Sequence, residues 1–139
     1  MARAERFTAL NKQPIFYSDF TNNMILDNIT EQLSTNINQV AVANAIKNLI
    51  LTNLGERPYH PEVGSKVQSL LFEPADTLTA DLIKATITST IENCEPRAQL
   101  QDVVVTAAPD SNSFTITIIF VIINISTPAT LRFILQRVR

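Results

Sequence analysis

Glycine, cysteine and histidine are almost absent from this chain of 139 residues, and each scarcity excludes a class of site. The only glycines are Gly55 and Gly64, so the glycine-rich loops that cradle phosphate groups cannot form. The single cysteine, Cys94, excludes an internal disulfide and a cysteine metal cluster. The single histidine, His60, excludes metal sites that need several imidazoles. We therefore expect neither a cofactor nor a metal ion.

Charged side chains are also scarce, at 17% of residues with a net charge of -2. The one basic cluster, Arg132, Arg137 and Arg139, cannot follow a phosphate backbone, so nucleic acid is not an expected partner. The apolar run 114–125 is too short to cross a bilayer as a helix, and residues 1–10 do not form a signal peptide. We expect a cytoplasmic protein, or one released by lysis, that binds no membrane. A surface poor in charge suits a subunit of an assembly.

Apolar residues recur at helical spacing in the middle of the sequence and at strand spacing near its end. The first pattern predicts helices over about 38–53 and from Thr79 to Pro96, with a short helix opening at Gly64-Ser65. The second pattern predicts strands. These strands cover 100–108, 114–125 and 130–138. The middle strand is apolar on both faces in its second half, so we expect it to be central.

This order of elements predicts that residues 36–139 form a single α+β domain. We expect an antiparallel sheet of about three to five strands, with two longer helices and one short helix packed on one face. Residues 1–35 are predicted to be a partly extended segment with a strand at 15–17 and a turn at 18–22. Such a segment is expected to lie along the domain with few contacts, or to become ordered on a partner.

The residues near the predicted helix ends indicate how each end is capped. Asn38 and Thr79 are expected N-caps of the longer helices, and Ser65 with Gln68 has the spacing of a capping box. Gly55 is placed to adopt the left-handed conformation after the first helix.

Two loops each bring a carboxylate, a guanidinium and a proline together, at Glu95-Pro96-Arg97 and within 55–61. From the residues alone, the simplest interpretation of Glu95 and Arg97 is a solvated pair whose loss costs the fold little. The alternative is an anchor for another protein. In the second loop Arg57 is a candidate to pair with Glu73 or Glu95, and Tyr59 is expected to pack on the core. The residues expected to brace the first loop are Glu56, Arg57, Pro58, Tyr59 and Glu73.

Three elements in this order resemble one protein family. They are Arg57-Pro58-Tyr59-His60-Pro61 with Gly64, then Leu71-Phe72-Glu73, then Glu95-Pro96-Arg97. The chain from about Phe16 onwards is similar to the phage baseplate wedge and sheath-initiator family, sometimes labelled lysozyme-like, which is shared with type VI secretion baseplates. Tyr17-Ser18-Asp19 resembles the phage branch.

The resemblance implies a structural subunit and no enzyme. The Glu95-Pro96-Arg97 triad would bind the bundle of larger wedge proteins, which reverses the preference for a solvated pair. Tail sheath subunits would pair strands with the sheet edge near 130–138 or beside 15–17. Tail tube-proximal proteins are further candidate partners. The location implied is the virion baseplate, in roughly six copies, after assembly in the host cytoplasm.

A peptidoglycan-degrading glycosidase is the rival hypothesis. Such an enzyme needs two carboxylates at a set separation, one of them with a raised pKa. The chain has no tryptophan and two tyrosines, so it offers little aromatic surface for stacking sugars. A family label does not supply a mechanism. The candidate carboxylates are Glu56, Glu62, Glu73, Glu92 and Glu95.

Overall fold

The computed structural model of the protein describes residues 14–28 and 31–136. The predicted end of the last strand, at Val138, and the terminal arginines lie outside these residues. No helix within them is long and apolar enough to cross a membrane. The elements are β1 (Ser18–Phe20), β2 (Thr35–Ile37), α1 (Asn38–Leu51), α2 (Val67–Leu70), α3 (Thr77–Cys94), β3 (Ala98–Ala108), a 3-10 turn (Pro109–Ser111), β4 (Ser113–Ile122) and β5 (Pro128–Gln136).

The main sheet is antiparallel with the strand order β3-β4-β5, so the prediction that the second strand is central is confirmed. Ala98 pairs with Ile122 at one end and Ala108 with Ser113 at the other, with one irregularity between Leu100 and Asp102. The predicted α+β class, with two longer helices and one short one, is also confirmed.

One face of the sheet supplies half of the hydrophobic core, and the helices supply the rest. Alternate side chains of β4 are fully buried on this face because successive residues of a strand point to opposite sides. Each buried isoleucine or phenylalanine contributes about 1.5–3 kcal/mol relative to an exposed one. The buried side chains are Phe114, Ile116, Ile118, Phe120 and Ile122 from β4, Val42, Ile46 and Ile50 from α1, and Ile83, Ile87 and Ile91 from α3.

The capping residues predicted for α3 and α2 are wrong. Helix α3 begins at Thr77, and the Asp76 side chain accepts a hydrogen bond from the Thr79 N–H at 2.8 Å. Ser65 and Gln68 do not form a capping box on α2. Instead Ser65 Oγ donates to the Ile50 carbonyl and Gln68 Nε2 to the Leu51 carbonyl, each at 2.6 Å. They satisfy carbonyls at the end of α1 that the helix leaves unpaired.

The N-terminal segment is a β-hairpin, which the sequence did not predict. The expected strand at 15–17 is irregular, and the expected turn at 18–22 contains β1, which pairs with β2. β2 crosses the predicted boundary between residues 35 and 36. Asn38 does not cap α1 with its side chain. Its φ is +49°, and its side chain accepts from Phe16 N–H at 2.9 Å and donates to the Pro14 carbonyl at 2.9 Å.

Candidate binding site at the end of helix α3

Glu95 and Arg97 form a two-point ion pair just after α3. Arg97 Nε donates to Glu95 Oε1 at 2.6 Å, and Arg97 Nη2 donates to Glu95 Oε2 at 2.7 Å. The Glu95 backbone N–H closes the helix on the Ile91 carbonyl, and the extended φ of -126° at Glu95 suits a residue that precedes proline. Pro96 thus restricts the backbone between Glu95 and Arg97 and fixes their relative position. The parallel pair of hydrogen bonds is the strongest geometry available to these groups.

The pair is more buried than the sequence indicated. The Glu95 side chain is 7% exposed and that of Arg97 34%. Hydrogen bonding to Glu95 raises the pKa of the Arg97 guanidinium, with smaller contributions from the charge of Asp19 and from Tyr17, so it stays protonated. Arg97 Nη1 is not used by the bonds to Glu95, so this nitrogen keeps its donors for another group.

The hairpin segment contacts the same arginine. The guanidinium carbon of Arg97 lies 5.8 Å from the centroid of the Tyr17 ring, within the range of a cation–π interaction. The Tyr17 hydroxyl donates to the Ile123 carbonyl at 3.1 Å and accepts from Asn124 Nδ2 at 3.3 Å. Arg97 is therefore held on one side by Glu95 and on another by Tyr17.

A cleft of about 250 Å³ opens beside the pair. It brings three of the predicted site residues together: Arg57, Glu95 and Arg97. Arg57 lines the cleft but makes none of the ion pairs found among the described residues, so its predicted pairing with Glu95 is not observed. The full lining is Asp19, Ala45, Asn48, Leu49, Thr52, Arg57, Val63, Cys94, Glu95 and Arg97.

The loop that carries Arg57 is shaped by its own backbone and by Glu56. Glu56 Oε2 accepts from the Asn53 N–H at 2.9 Å, and the Gly55 N–H donates to the Pro61 carbonyl at 2.9 Å. The expectation that Tyr59 packs on the core is wrong. Tyr59 is 96% exposed and has a φ of +70°, which a non-glycine residue rarely adopts.

Glu73 lies at the opposite end of β3 from the Glu95-Pro96-Arg97 triad. It lines a separate cavity of about 170 Å³ with Asn112 and Phe114, beyond the last residue of β3. Glu95 lies just before the first residue of that strand, and eleven residues of β3 span about 33 Å. The structure therefore does not bring Glu73 to Arg57 or to the triad.

Three of the five candidate carboxylates of the glycosidase hypothesis, Glu56, Glu62 and Glu95, have hydrogen-bond partners. Both oxygens of Glu95 accept from Arg97, and Glu56 accepts from a backbone amide. Hydrogen bonds from its own backbone and from His60 lower the pKa of Glu62, the opposite of what a general acid needs. These three carboxylates therefore accept hydrogen bonds within the protein, and the Arg97 guanidinium lies beside the cleft.

Comparisons with known proteins find related sequences and similar folds. The sequence profile described as baseplate wedge protein gp25 matches residues 38–125. The baseplate wedge protein gp25 of Enterobacteria phage T4 is 35% identical over 81 residues, which are 58% of this chain and 61% of that protein. This chain thus spans less than two thirds of the relative's length.

Two solved structures share the fold at low identity. One is a candidate tail lysozyme from Geobacter sulfurreducens, with a TM-score of 0.63 and 22% identity, over 70% of this chain and 89% of the other. The second is a chain of the anti-feeding prophage baseplate, with a TM-score of 0.60 and 19% identity, over 85% of this chain and 83% of the other. The profile match covers more than half of the chain and includes the Glu95–Arg97 site, so this chain belongs to the baseplate wedge protein gp25 family.

Proposed function

We propose that this protein is a structural subunit of a contractile-tail baseplate wedge, which binds the wedge bundle through Glu95, Pro96 and Arg97. The observation that supports this most is the fixed arginine. Arg97 is held by two hydrogen bonds that it donates to the buried Glu95 carboxylate, and it still has donors on Nη1. A side chain that is already ordered loses little entropy when it binds, so its contacts contribute more fully to affinity.

The test separates binding from folding. Replacing both partners with apolar residues of similar shape, as in Glu95→Leu/Arg97→Met, removes the pair without leaving a buried charge. We expect this variant to melt near the wild-type temperature but to lose capture by purified wedge proteins. Arg97→Lys should restore capture poorly, since an ammonium cannot donate in parallel to a carboxylate.

A second ion pair offers a matched control. Lys84 Nζ lies 3.6 Å from Asp102 Oδ1, and both side chains are about half exposed. Lys84→Met should leave capture unchanged. If the Glu95→Leu/Arg97→Met protein is folded and captured as well as wild type, the triad is not the binding site.

Sheath assembly by strand exchange is the second part of the proposal. β5 is an edge strand of the main sheet, and an edge leaves backbone N–H and C=O groups available for another chain. A photo-crosslinking residue at Arg132 on β5 should react with the sheath subunit in assembled particles, while one at Asp110 in the turn after β3 should not. Equal reaction at both positions would remove the support for strand exchange at β5.

The proposal places the protein in the virion baseplate, after assembly in the host cytoplasm, with other wedge proteins and tail tube-proximal proteins as neighbours. The alternative is that this protein is the equivalent subunit of a type VI secretion baseplate. A particle image showing whether the baseplate carries a DNA-filled capsid would decide between them.

The alternative class of function is peptidoglycan hydrolysis. The partnered carboxylates argue against it, so we expect no cleared band when the purified protein is run through cell-wall substrate. Clearing that disappears on Glu56→Gln, Glu73→Gln or Glu95→Gln would favour the glycosidase instead.

A further inference from the structure

The N-terminal hairpin exposes an unusual concentration of large apolar side chains. Among the described residues, nine exposed large hydrophobics lie between Ile15 and Val40, whereas eight are spread from Leu54 to Ile134. Six of the nine belong to the hairpin arms and are 39–70% exposed. We call these six the hairpin surface. They are Phe20, Met24, Ile25, Leu26, Leu33 and Ile37.

The strand register places part of the hairpin surface away from the cleft. Phe20 pairs with Thr35 and Ser18 with Ile37, so Phe20 and Ile37 share one face of the ribbon. Asp19 lies on the opposite face and lines the cleft beside Arg97. A two-stranded ribbon is marginally stable in water by itself, and apolar side chains exposed in one area are typical of a contact surface.

The charged residues within the hairpin segment itself have a single sign. Residues 13–46 contain Asp19, Asp27 and Glu31 but no lysine or arginine. A carboxylate-rimmed apolar surface repels nucleic acid and anionic lipid, whose charges are also negative, and attracts a protein surface with a basic rim.

The hairpin also lies before the part of the chain that defines the family. The profile match begins at residue 38, the first residue of α1. The segment that carries the hairpin surface is nevertheless joined to the triad, since Tyr17, directly before β1, contacts Arg97.

We propose that the hairpin surface binds another baseplate protein at an apolar area bordered by lysine or arginine side chains, an inference that rests on the proposed place of this chain in a baseplate. The aromatic and aliphatic side chains provide the buried centre of the contact. Asp27 and Glu31 provide the charges that select and orient the partner.

The experiment introduces the photo-crosslinking residue benzoylphenylalanine at Phe20 in assembled baseplates and identifies the joined peptides by mass spectrometry. The matched control is the same residue at Leu78, which is 68% exposed at the start of α3. We expect Phe20 to join one segment of another baseplate protein that combines apolar residues with lysine or arginine, and Leu78 not to join it. The proposal would be overturned by any of four results at Phe20: a crosslink to a segment without basic residues, to a second copy of this chain or to its own residues 1–13, or no crosslink at all.

Charge reversal provides an independent readout. Asp27→Lys/Glu31→Lys should weaken capture by the identified partner about tenfold at low salt, and the difference should shrink at high salt as the charges are screened. Asp81→Lys, on exposed surface of α3, is the control for net charge. Unchanged capture by the reversed hairpin would contradict the proposal. If the chain is absent from purified baseplates, both the proposed function and the hairpin inference fail. If the chain is present but Phe20 forms no crosslink to a basic segment, only the hairpin inference fails.

Discussion

The guanidinium of Arg97 lies 5.8 Å from the ring centroid of Tyr17 and connects the hairpin to the end of α3. The Tyr17 hydroxyl reaches a carbonyl 106 residues later in the sequence, in the turn after β4. One side chain thus joins three distant segments at the edge of the cleft. A change in the hairpin should therefore be felt at the triad, and a partner bound at the triad should steady the hairpin.

The first prediction concerns Tyr17. Tyr17→Leu removes both the ring and the hydroxyl, so we expect the hairpin to loosen from the domain, with a loss of about 0.5–1 kcal/mol for the cation–π contact. Tyr17→Phe keeps the ring and should loosen the hairpin less. Hydrogen exchange of residues 14–37 measures this directly. Equal exchange in wild type and Tyr17→Leu would show that the contact does not hold the hairpin.

The second prediction concerns the stability of the triad. The Glu95 side chain is 7% exposed, so Arg97→Ala leaves a buried carboxylate without its partner. We expect a loss of about 1–3 kcal/mol, less than for a fully buried pair because a third of Arg97 is exposed to solvent. Chemical denaturation measures it. An unchanged unfolding midpoint would show that Glu95 and Arg97 behave as a solvated pair, the interpretation that the residues alone favoured.

This difference shows what sequence spacing can and cannot reveal. Two opposite charges on either side of a proline predicted that Glu95 and Arg97 would be close, and they are. Nothing local indicated that Glu95 would be buried. The neighbour on the other side, Tyr17, comes from a segment predicted to have a short strand at 15–17 and few contacts with the domain, so its contact with Arg97 was not predicted.

The central strand shows the opposite case. Alternation through Phe114, Ile116 and Ile118 predicted β4, because a strand buried on one face repeats every second residue. The apolar second half of this strand predicted its central position. The hairpin could not be found in this way. Its strands have three residues each, and an Asn38 side chain fixes its base from outside the ribbon.

The third prediction compares the two glycines. A Cβ at Gly64 would lie 2.7 Å from the Thr52 carbonyl oxygen and 2.8 Å from that of Asn53, and both atoms belong to the backbone. At Gly55 a Cβ meets nothing within 4 Å, and only the φ of +82° is unfavourable. We expect Gly55→Ala to cost about 1–2 kcal/mol and Gly64→Ala clearly more. Thermal unfolding of both variants checks this order. Equal losses would show that the Thr52–Asn53 backbone can move aside.

The fourth prediction concerns the cap of α3 and its pH dependence. The Thr79 N–H bonds to Asp76 and lowers the pKa of its carboxyl below the ordinary value. A lowered pKa means that the folded state favours the ionised form. The stabilisation is therefore complete above the pKa of an unfolded aspartate, near pH 4, and is lost as the pH falls through the lower, folded pKa.

Two substitutions at the cap separate charge from hydrogen bonding. Asp76→Ala should lower the melting temperature by roughly 2–8 °C at pH 7. Asp76→Asn keeps an oxygen that can accept from Thr79 but does not titrate, so it should melt close to wild type at neutral pH and lose less stability on acidification. Melting curves from pH 7 down to about pH 3 measure the gap between wild type and each variant. If the difference in melting temperature between Asp76→Ala and wild type stays constant over this range, ionisation of Asp76 does not contribute to stability. The control is Asp81→Asn, which alters an exposed carboxylate on the same helix and should melt at the wild-type temperature at every pH.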